Sequence, residues 1–243
     1  LKISEKKLVA RLRKQRFVVK KGFVENSYVV ERERKMLGGT LEHLLGYFFI
    51  QEVTSMIPPL WLKPRGTDKV LDMCASPGGK TTHLSQLMNN KGLIIAVDND
   101  KTKNVSMINN LQRLGCKNVL FDNCDATRVA QLREFKTLFD KALLDAPCSC
   151  SGILYKDSSI HHKLSLEFIK HYSKKQKKLV SAAYKMLKKK GRLVYSVCSI
   201  DPLETVNVLQ HAEKLGFRVL RKKQFLPHKD GTAGFFVAEM IKK

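Results

Sequence analysis

The sequence predicts an α/β fold with a doubly wound sheet, an antiparallel edge strand and a small basic module at the N-terminus. From residue 69 onward, apolar runs typical of strands alternate with helical patterns in four successive strand-to-helix steps. Three of the strand-like runs end in polar breaks that hold Cys74, Cys148 and Cys198. Parallel strands would bring these ends to one crevice, which is where open α/β sheets bind ligands.

The boundaries of the elements follow from apolar periodicity and from glycine and proline breaks. We divide the chain into a basic module with a linker helix over residues 1–64 and a second domain over residues 65–243. In the first part, a helix and a short strand precede a second helix over 41–57, which Pro58 and Pro59 end. In the second part, strands are predicted over 69–74, 93–98, 118–122, 140–145, 192–198, 217–221 and 234–240. Helices are predicted over 79–90, 101–114, 127–136, 165–190 and 201–215, and Gly115, Gly191 and Gly216 follow three of them as C-cap residues do.

The charge of the chain points to a polyanionic partner. Its 45 Lys and Arg residues outnumber 22 Asp and Glu residues, which gives a formal net charge of +23. Residues 1–35 hold twelve basic residues against four Glu, and residues 168–200 hold ten basic residues and no acid. The second stretch is either an ordinary solvated helix face or a face that contacts phosphates. Its complete lack of acids favours phosphate contact, with nucleic acid ahead of an acidic membrane.

Composition also limits the compartment and the cofactors. The chain has no run of 18 or more apolar residues, and its opening residues are too charged for a secretory signal. Six cysteines in 243 residues do not make a disulfide framework, so we expect reduced thiols, a cytoplasmic location and no membrane partner. We expect no metal site, because Cys148-Ser149-Cys150 lacks the CxxC spacing and no second pair completes a tetrahedron.

A glycine turn follows the first strand of the second domain. Gly78-Gly79-Lys80-Thr81 resembles the end of a Walker A loop, but Cys74 stands where that motif needs its first glycine, which disfavours an NTPase. A glycine turn that opens a helix still brings backbone N–H groups close to a carboxylate or a phosphate. The turn therefore remains a candidate binding loop.

Acidic residues recur at the ends of successive strands. Asp98 ends the second strand of the domain, where an acid is placed to accept hydrogen bonds from ribose hydroxyls. Its alternative role is to cap the helix at 101–114, and the two roles can coexist. Asp125 and Asp145 follow the third and fourth strands, so the three acids are predicted to share one rim.

Cys148 and Cys198 indicate thiol chemistry. A cysteine is often only a small buried apolar residue, but neither of these two lies in the middle of its apolar run. Two cysteines beside a glycine turn therefore favour a nucleophilic site over core packing.

These motifs resemble those of the Nop2/Sun family of RNA cytosine C5-methyltransferases over nearly the whole chain. The run Cys74-Ala75-Ser76-Pro77-Gly78-Gly79-Lys80 resembles the family's methyl-donor loop, Asp145-Ala146-Pro147-Cys148-Ser149 its fourth motif and Cys198-Ser199 its sixth. His43, Gly46, Gln51 and Ser55 resemble the segment before the donor loop, and Pro227-His228 with Gly234-Phe235-Phe236 the C-terminal end. Cys150 replaces the family glycine, and Val197 stands where Thr is common. The resemblance also places the start of the chain inside the family's N-terminal module.

The resemblance implies a Rossmann-like class I methyltransferase that uses S-adenosylmethionine. In the family pattern, Cys198 attacks C6 of a cytosine, Asp145 holds the N3/N4 edge, and Cys148 assists proton loss from C5 and product release. Lys80 is counted with the catalytic residues. The implied donor-binding set comprises Cys74, Ala75, Ser76, Pro77, Gly78, Gly79, Lys80, Asp98 on the ribose, Lys103 beside it, Asp125 near the adenine, and Asp145.

The resemblance further implies an RNA substrate, with tRNA ahead of rRNA. We also expect a monomer. In a eukaryote, a nuclear or nucleolar location would replace the cytoplasmic one. The alternative function is a catalytically silent RNA-binding module of the same fold, which the charge alone would suit. Two intact cysteines and a donor loop favour the enzyme, and a titration with S-adenosylmethionine separates the two.

Overall fold

Two sheets account for the strands of the described chain. The structure, a computed structural model, describes residues 2–31, 36–131, 138–156 and 158–243. Within these ranges, seven strands form one mixed sheet, and two strands near the N-terminus pair separately and antiparallel. The apolar core lies between the large sheet and the helices that cover it.

The elements alternate along the chain much as the periodicity predicts. The helices are α1 (Glu5–Lys14), α2 (Leu41–Leu44), α3 (Ile57–Leu62), α4 (Gly79–Leu87), α5 (Asn104–Leu114), α6 (Leu166–Met186), α7 (Val206–Leu215) and α8 (Pro227–Asp230). The strands are β1 (Val18–Lys21), β2 (Tyr28–Glu31), β3 (Lys69–Asp72), β4 (Leu93–Val97), β5 (Val119–Asp122), β6 (Phe139–Asp145), β7 (Leu187–Val197), β8 (Phe217–Phe225) and β9 (Phe235–Lys242). Among the described helices, none is long and apolar enough to cross a lipid bilayer.

The strand order creates a crevice at the centre of the large sheet. The order is β5-β4-β3-β6-β7-β9-β8, with β3 to β7 parallel and β9 antiparallel to both of its neighbours. The chain runs outward from β3 to β5 and then crosses to β6, so the order reverses between β3 and β6. Such a switch point opens a ligand crevice at the carboxyl ends of the strands. The predicted fold class is confirmed.

The antiparallel strand differs from the prediction in one respect, because β9 lies one position inside the edge that β8 forms. Most of β9 is buried, whereas β8 is largely exposed and carries Arg218, Arg221, Lys222 and Lys223. Charged side chains on an edge strand oppose pairing with another chain. The apolar strand therefore lies inside, and the basic strand forms the edge.

Several helices predicted in the second domain end or begin elsewhere. The helix predicted over 165–190 ends at Met186, and Leu187 already pairs with Phe139 as the start of β7. Gly191, predicted as a C-cap, therefore lies within a strand, whereas Gly115 and Gly216 do adopt the left-handed C-cap conformation. The helix predicted over 127–136 is a 3₁₀ turn at Ala126–Gln131, and residues 132–137 lie outside the described ranges.

The linker predicted as one helix over 41–57 consists of separate short pieces. α2 ends at Leu44, Gly46 has a φ of +71°, and a 3₁₀ turn at Val53–Met56 leads into α3. Pro58 and Pro59 lie in the first turn of α3 instead of ending a helix. This is allowed because the N–H groups of the first turn have no partner within the helix.

Residues 2–31 fold as a small unit of α1 and the β1–β2 pair. Leu12, Phe17 and Val19 are buried in an apolar cluster separate from the main core, and Leu37 and Phe48 pack against it. Arg11 and Gln15 donate hydrogen bonds to the buried carboxylate of Glu42 in α2, both at 2.8 Å. The N-terminal unit is thereby attached to the linker.

Candidate active site

The carboxyl ends of β3, β6 and β7 meet at the switch point. These strands are neighbours in the sheet, and Cys74, Cys148 and Cys198 lie just beyond their ends. The strand order therefore brings the three cysteine-containing loops of the sequence to one edge.

A cleft of about 270 Å³ opens at this edge. It is lined by the predicted donor loop and by the linker: Phe49, Ile50, Gln51, Ser55, Cys74, Ala75, Ser76, Pro77, Gly79, Lys80 and Asp145. A Cβ on Gly79 would lie 2.8 Å from Phe49 Cε1, so a side chain there would push the linker away from the loop. Gly78 is the N-cap residue of α4 and has a φ of +101°, which glycine adopts without strain. The turn thus depends on both of its glycines.

Arg113 of α5 fixes the linker that forms one wall of the cleft. Its guanidinium donates hydrogen bonds to the carbonyl oxygens of His43 at 2.6 Å and Phe48 at 3.3 Å. Gly46 lies between those residues, and a Cβ there would come within 1.7 Å of the Arg113 carbonyl oxygen. The positive φ and this close approach both require glycine at position 46.

An ion pair joins the predicted donor loop to the end of β6. Lys80 Nζ lies 2.6 Å from Asp145 Oδ2, and Ser196 Oγ donates to Asp145 Oδ1 at 2.6 Å. The Lys80 side chain is 14% exposed and that of Asp145 29%, so the pair is partly shielded from water. Two donors fix the carboxylate, whose oxygens can still accept a further hydrogen bond from a bound ligand.

Three thiols converge beyond β6 and β7. Cys198 Sγ lies 3.2 Å from Cys148 Sγ and 3.5 Å from Cys150 Sγ. Hydrogen bonds with Cys150 and Cys198, together with burial, raise the pKa of the Cys148 thiol. The hydrogen bond with Cys148 lowers the pKa of Cys198, but the hydrogen bond with Cys150 and burial outweigh it, so this pKa is also raised. Both thiols are therefore protonated at neutral pH.

Cys150 occupies a backbone conformation that suits glycine. Its φ of +61° and ψ of +23° are left-handed, which costs a residue with a Cβ about 1–2 kcal/mol. The conformation explains why glycine fits the corresponding motif position. In this chain the same position holds a third thiol in contact with Cys198.

A buried carboxylate that the sequence analysis missed ties the two cysteine loops together. Glu204 Oε1 accepts hydrogen bonds from Ser149 N and Gln176 Nε2, both at 2.9 Å. Its Oε2 accepts from Ser199 Oγ at 2.6 Å and from Ser149 Oγ. Since Ser149 follows Cys148 and Ser199 follows Cys198, one fully buried side chain positions both loops. The helix predicted over 201–215 begins only at Val206, because Glu204 lies in the turn before it.

Asp98 is joined to the donor loop. Its carboxylate accepts hydrogen bonds from the backbone N–H of Ser76 at 3.0 Å and of Asp100 at 2.9 Å. The capping role considered for Asp98 belongs to Asp100, which accepts from Thr102 N at the turn before α5.

Lys103 and Asp125 are exposed and lie outside the lining of the cleft. Lys103 is exposed and pairs with Asp100 at 3.0 Å. Asp125 is exposed and accepts from Thr127 N at 2.8 Å. Neither is among the described residues that line the cleft.

Asp72, at the end of β3, has a strongly raised pKa. Its side chain is fully buried, and Thr81 Oγ1 donates to Oδ2 at 2.7 Å. Burial raises the pKa of Asp72 to about 7. The hydrogen bond from Thr81 opposes this shift, and the negative charge of Asp145 adds to it. This carboxyl group is thus partly neutral under physiological conditions.

We expect Asp72→Asn to flatten the pH dependence of stability. The pKa is 3.8 in the unfolded chain and about 7 in the folded chain, so the folded chain holds an extra proton between these values. The stabilisation that Asp72 gives is complete below pH 3.8 and is lost as the pH rises to about 7. The loss amounts to at most about 1.4 kcal/mol per pH unit. Urea unfolding of the unmodified chain and of Asp72→Asn from pH 4 to 8 measures this loss of stability. Identical pH profiles of the two proteins would contradict the prediction.

The basic stretch on α6 is exposed next to this edge of the sheet. The helix buries Ile169, Leu179 and Met186 and leaves Lys170, Lys174, Lys178 and Lys185 exposed. Because α6 runs from the carboxyl ends of the strands to the amino ends, Lys170 and Lys174 lie on the side of the cleft.

Comparison with known proteins identifies relatives of the chain. A family model described as 16S rRNA methyltransferase RsmB/F matches residues 59–241. The tRNA (cytosine(49)-C(5))-methyltransferase of Pyrococcus abyssi is 40% identical over 188 residues, which cover 77% of this chain and 58% of the relative. The human 28S rRNA (cytosine(4447)-C(5))-methyltransferase is 33% identical over 238 residues, which cover 85% of this chain and 29% of the relative. The chain thus spans less than two thirds of the length of these relatives.

Two solved structures share the fold. A methyltransferase homologue from Pyrococcus horikoshii superposes with a TM-score of 0.89 at 34% identity, covering 100% of this chain and 84% of that one. NSun6 from Pyrococcus horikoshii, solved with the S-adenosylmethionine analogue SFG, superposes with a TM-score of 0.80 at 34% identity, covering 86% of this chain and 56% of that one.

Proposed function

Because the chain belongs to the 16S rRNA methyltransferase RsmB/F family, we propose that it transfers a methyl group from S-adenosylmethionine to C5 of a cytosine in RNA. The resemblance to the Nop2/Sun RNA cytosine C5-methyltransferases, predicted from the motifs, is confirmed by the relatives. The names of those relatives favour an enzyme over a silent RNA-binding module.

The contact between two thiols is the observation that carries this proposal. Cys148 Sγ and Cys198 Sγ lie 3.2 Å apart beyond neighbouring parallel strands. Atoms C5 and C6 of cytosine are adjacent, so two sulfurs at this separation can act on both atoms of one ring. The Lys80–Asp145 ion pair lies at the same edge and offers charged groups to the polar edge of that ring.

The chain offers S-adenosylmethionine a fitting cleft. Its carboxylate would meet the backbone N–H groups at the start of α4, since the first N–H groups of a helix lack partners within it. Asp98 would accept hydrogen bonds from the ribose, because each carboxylate oxygen has a second lone pair beyond its backbone partner. Residues 74–80 would contact the remainder of S-adenosylmethionine, and Lys103 and Asp125 would lie at the outer side of the cleft. When bound, the donor supplies an electrophilic methyl group.

Cys198 is proposed as the nucleophile. Its thiol loses its proton to the solvent, the resulting thiolate adds to C6, and the electron pair of the C5–C6 double bond becomes available at C5. Asp145, held by Lys80 and Ser196, accepts a hydrogen bond from the N4 amino group. Lys80 places a positive charge beside the negative charge that develops toward N3.

Cys148 is proposed to complete the reaction. After methylation, Cys148, which has also given its thiol proton to the solvent, takes the proton from C5 as a thiolate. The electrons of that C–H bond restore the C5–C6 double bond as the C6–S bond breaks, and Cys198 leaves as a thiolate. Because Glu204 fixes the residues that follow both cysteines, the two sulfurs keep their separation during these steps.

Donor binding should depend on Asp98. We expect Asp98→Ala to weaken S-adenosylmethionine binding by about tenfold to a hundredfold, since a charged acceptor contributes about 1.5–3 kcal/mol. Calorimetric titration measures the effect. Asp140→Ala is the matched control, because Asp140 lies near the amino end of β6, on the opposite edge of the sheet. Equal affinity of Asp98→Ala and the unmodified chain would remove Asp98 from the donor site.

RNA is proposed to lie across residues 1–64 and the start of α6, with residues 65–243 forming the methyltransferase domain. The net charge of +23 and the exposed Lys170 and Lys174 support this placement. A base in folded RNA must leave its stack to reach a recessed site. A tRNA is the favoured substrate and an rRNA the next. We further propose a monomer in the cytoplasm, or in the nucleus or nucleolus of a eukaryote.

RNA binding should be steeply salt-dependent. With about five phosphate contacts, the logarithm of the binding constant should fall against that of the salt concentration with a slope near −4. We expect Lys170→Glu with Lys174→Glu to reduce this slope by about 2, one unit for each lysine. The control is the double variant Lys91→Glu with Lys117→Glu, which changes the net charge by the same amount. These two lysines precede β4 and β5, at the amino ends of the strands. Equal salt-dependence slopes in the two double variants would mean that RNA does not contact the start of α6.

The activity itself is tested by incubating the purified chain with labelled S-adenosylmethionine and RNA. Label should enter RNA as 5-methylcytosine, and bisulfite sequencing of the product locates the base. Donor binding without any methylation of tRNA or rRNA would contradict the proposed substrates.

A further inference from the structure

Cys148, Cys150 and Cys198 form a three-sulfur cluster, here called the thiol triad. Their Sγ atoms all lie within 4.8 Å of one another, with separations of 3.2 and 3.5 Å from Cys198. Sulfurs placed about 2.3 Å from a tetrahedral Zn²⁺ are about 3.8 Å apart. The two separations from Cys198 are about 0.3–0.6 Å shorter than this value, so small side-chain rotations suffice to reach it. We propose that the thiol triad binds a thiophilic cation such as Zn²⁺ or Cd²⁺ through three thiolates.

The chain holds the triad in place without the cation. Cys148 and Cys150 lie on the loop after β6, and Cys198 directly follows β7. Glu204 fixes that arrangement through Ser149, between the first two cysteines, and through Ser199, which follows the third. A site whose ligands are already positioned by neighbouring hydrogen bonds loses little conformational entropy when the metal binds.

Cys150 supplies the third sulfur ligand of the proposed metal site. Two thiolates alone make a poor site for a cation that prefers four ligands, whereas three leave one position for water or another ligand. The residue adopts a left-handed backbone, where glycine would be less strained. Strain retained beside an active site is a reason to look for a function of the strained residue. The Cys-x-Cys spacing alone does not reveal the site, because the third ligand is 48 residues away.

Binding replaces three S–H bonds by three metal–sulfur bonds and releases three protons to the solvent. A cation held this way occupies the sulfur of Cys198 and would block its addition to C6. This consequence rests on the proposed function, whereas cation binding itself does not.

The experiment is a titration of the fully reduced chain with Cd²⁺ under anaerobic conditions, followed through the ultraviolet thiolate-to-Cd²⁺ charge-transfer band. We expect one tightly bound Cd²⁺ per chain, and binding at least about a hundredfold weaker in Cys150→Gly and Cys150→Ser. Glycine relieves the strained backbone and serine keeps the size of the side chain, so together they separate loss of a ligand from misfolding. Cys116→Ser, which changes a thiol outside the triad, should bind Cd²⁺ as the unmodified chain does.

Either of two results would overturn the proposal: no tight Cd²⁺ site in the reduced chain, or equal affinity in the Cys150 variants. A parallel assay addresses the consequence for catalysis. Methyl transfer by the unmodified chain should be inhibited by Cd²⁺ and restored by a chelator, and Cys150→Gly should resist inhibition at the same concentration. Tight binding without inhibition would leave the metal site standing and contradict the role of Cys198.

Discussion

Cys198→Ala should abolish methyl transfer and prevent any covalent complex with RNA. Without a thiolate to add to C6, atom C5 remains a poor nucleophile, and the rate should fall by about 10⁴-fold or more. The substitution removes one sulfur from a half-buried position, so the fold should survive. Transfer of labelled methyl groups to RNA measures the first effect, and denaturing electrophoresis of protein with RNA measures the second.

Cys148→Ala should fail in a different way. Addition of Cys198 and methylation remain possible, but the proton on C5 lacks its acceptor and the C6–S bond persists. A protein–RNA adduct that survives denaturing electrophoresis should therefore accumulate in this variant and be absent from Cys198→Ala. Cys116→Ser, outside the triad, is the control that should turn over normally.

The two variants together test the assignment of roles. An adduct in Cys198→Ala and none in Cys148→Ala would reverse the roles of nucleophile and release residue. Two destabilised proteins without any adduct would mean that the cysteines serve packing. The 3.2 Å contact favours distinct but cooperating roles, since each sulfur can reach the atom next to the other's target.

The strands, the glycine turn before α4 and the loops that hold the cysteines could be predicted because their signals are local. Each strand of the parallel sheet is an apolar run that ends in a polar break, and parallel pairing alone brings those ends to one edge. The sequence therefore predicts that Cys74, Asp145 and Cys198 lie at one edge of the sheet, without knowledge of any side-chain contact.

The linker shows where local signals fail. Leu44, Phe48, Gln51 and Ser55 have helical spacing, yet residues 45–52 contain no helix. Hydrogen bonds from Arg113, more than sixty residues away in the chain, hold this segment instead. Tertiary contacts outweigh helix propensity here, because propensity is worth less than 1 kcal/mol per residue.

The same limit applies to β7. Lys188, Lys189 and Lys190 suit a helix, and the prediction extends the helix through them. Lys242 Nζ instead donates to the carbonyl oxygens of Tyr184 and Leu187 at 2.7 and 2.8 Å, which satisfies the last turn of α6. Lys242, 55 positions from Leu187, thus helps to end the helix. The periodicity of the sequence cannot predict such a distant contact.

Glu204→Ala should be among the most destabilising substitutions in the chain. It removes the acceptor of four hydrogen bonds that Ser149, Gln176 and Ser199 donate in a fully buried position. A buried donor left without a partner costs about 1–3 kcal/mol. With partial relaxation, we expect the free energy of unfolding to fall by about 3–5 kcal/mol, measured by urea denaturation.

Glu204→Gln should be far milder, with a loss of about 1 kcal/mol. Its amide oxygen can still accept from Ser149 N and Gln176 Nε2, and its amide N–H groups can donate to the hydroxyl oxygens of Ser149 and Ser199, which accept as well as donate. In a Cys148→Ala background, Glu204→Gln should therefore still form the RNA adduct. Glu204→Ala should form it more slowly even at temperatures where it is folded, because the carboxylate that links Ser149 to Ser199 is lost, although Ser151 Oγ still contacts Ser199 Oγ at 2.8 Å.

Glu239→Gln separates stability from positioning. Glu239 is another buried acid, and it pairs with Arg192 at 2.5 Å and with Arg221 at 2.8 Å, on strands instead of on the cysteine loops. Loss of the Glu239 charge should lower the free energy of unfolding. It should leave adduct formation in the Cys148→Ala background unchanged. If Glu204→Ala proves as stable as the unmodified chain, or if Glu239→Gln slows the adduct equally, the loops are held by something other than Glu204. The joint dependence of stability and adduct formation on Glu204 would show that one buried carboxylate both completes the core and sets the distance between the two thiols.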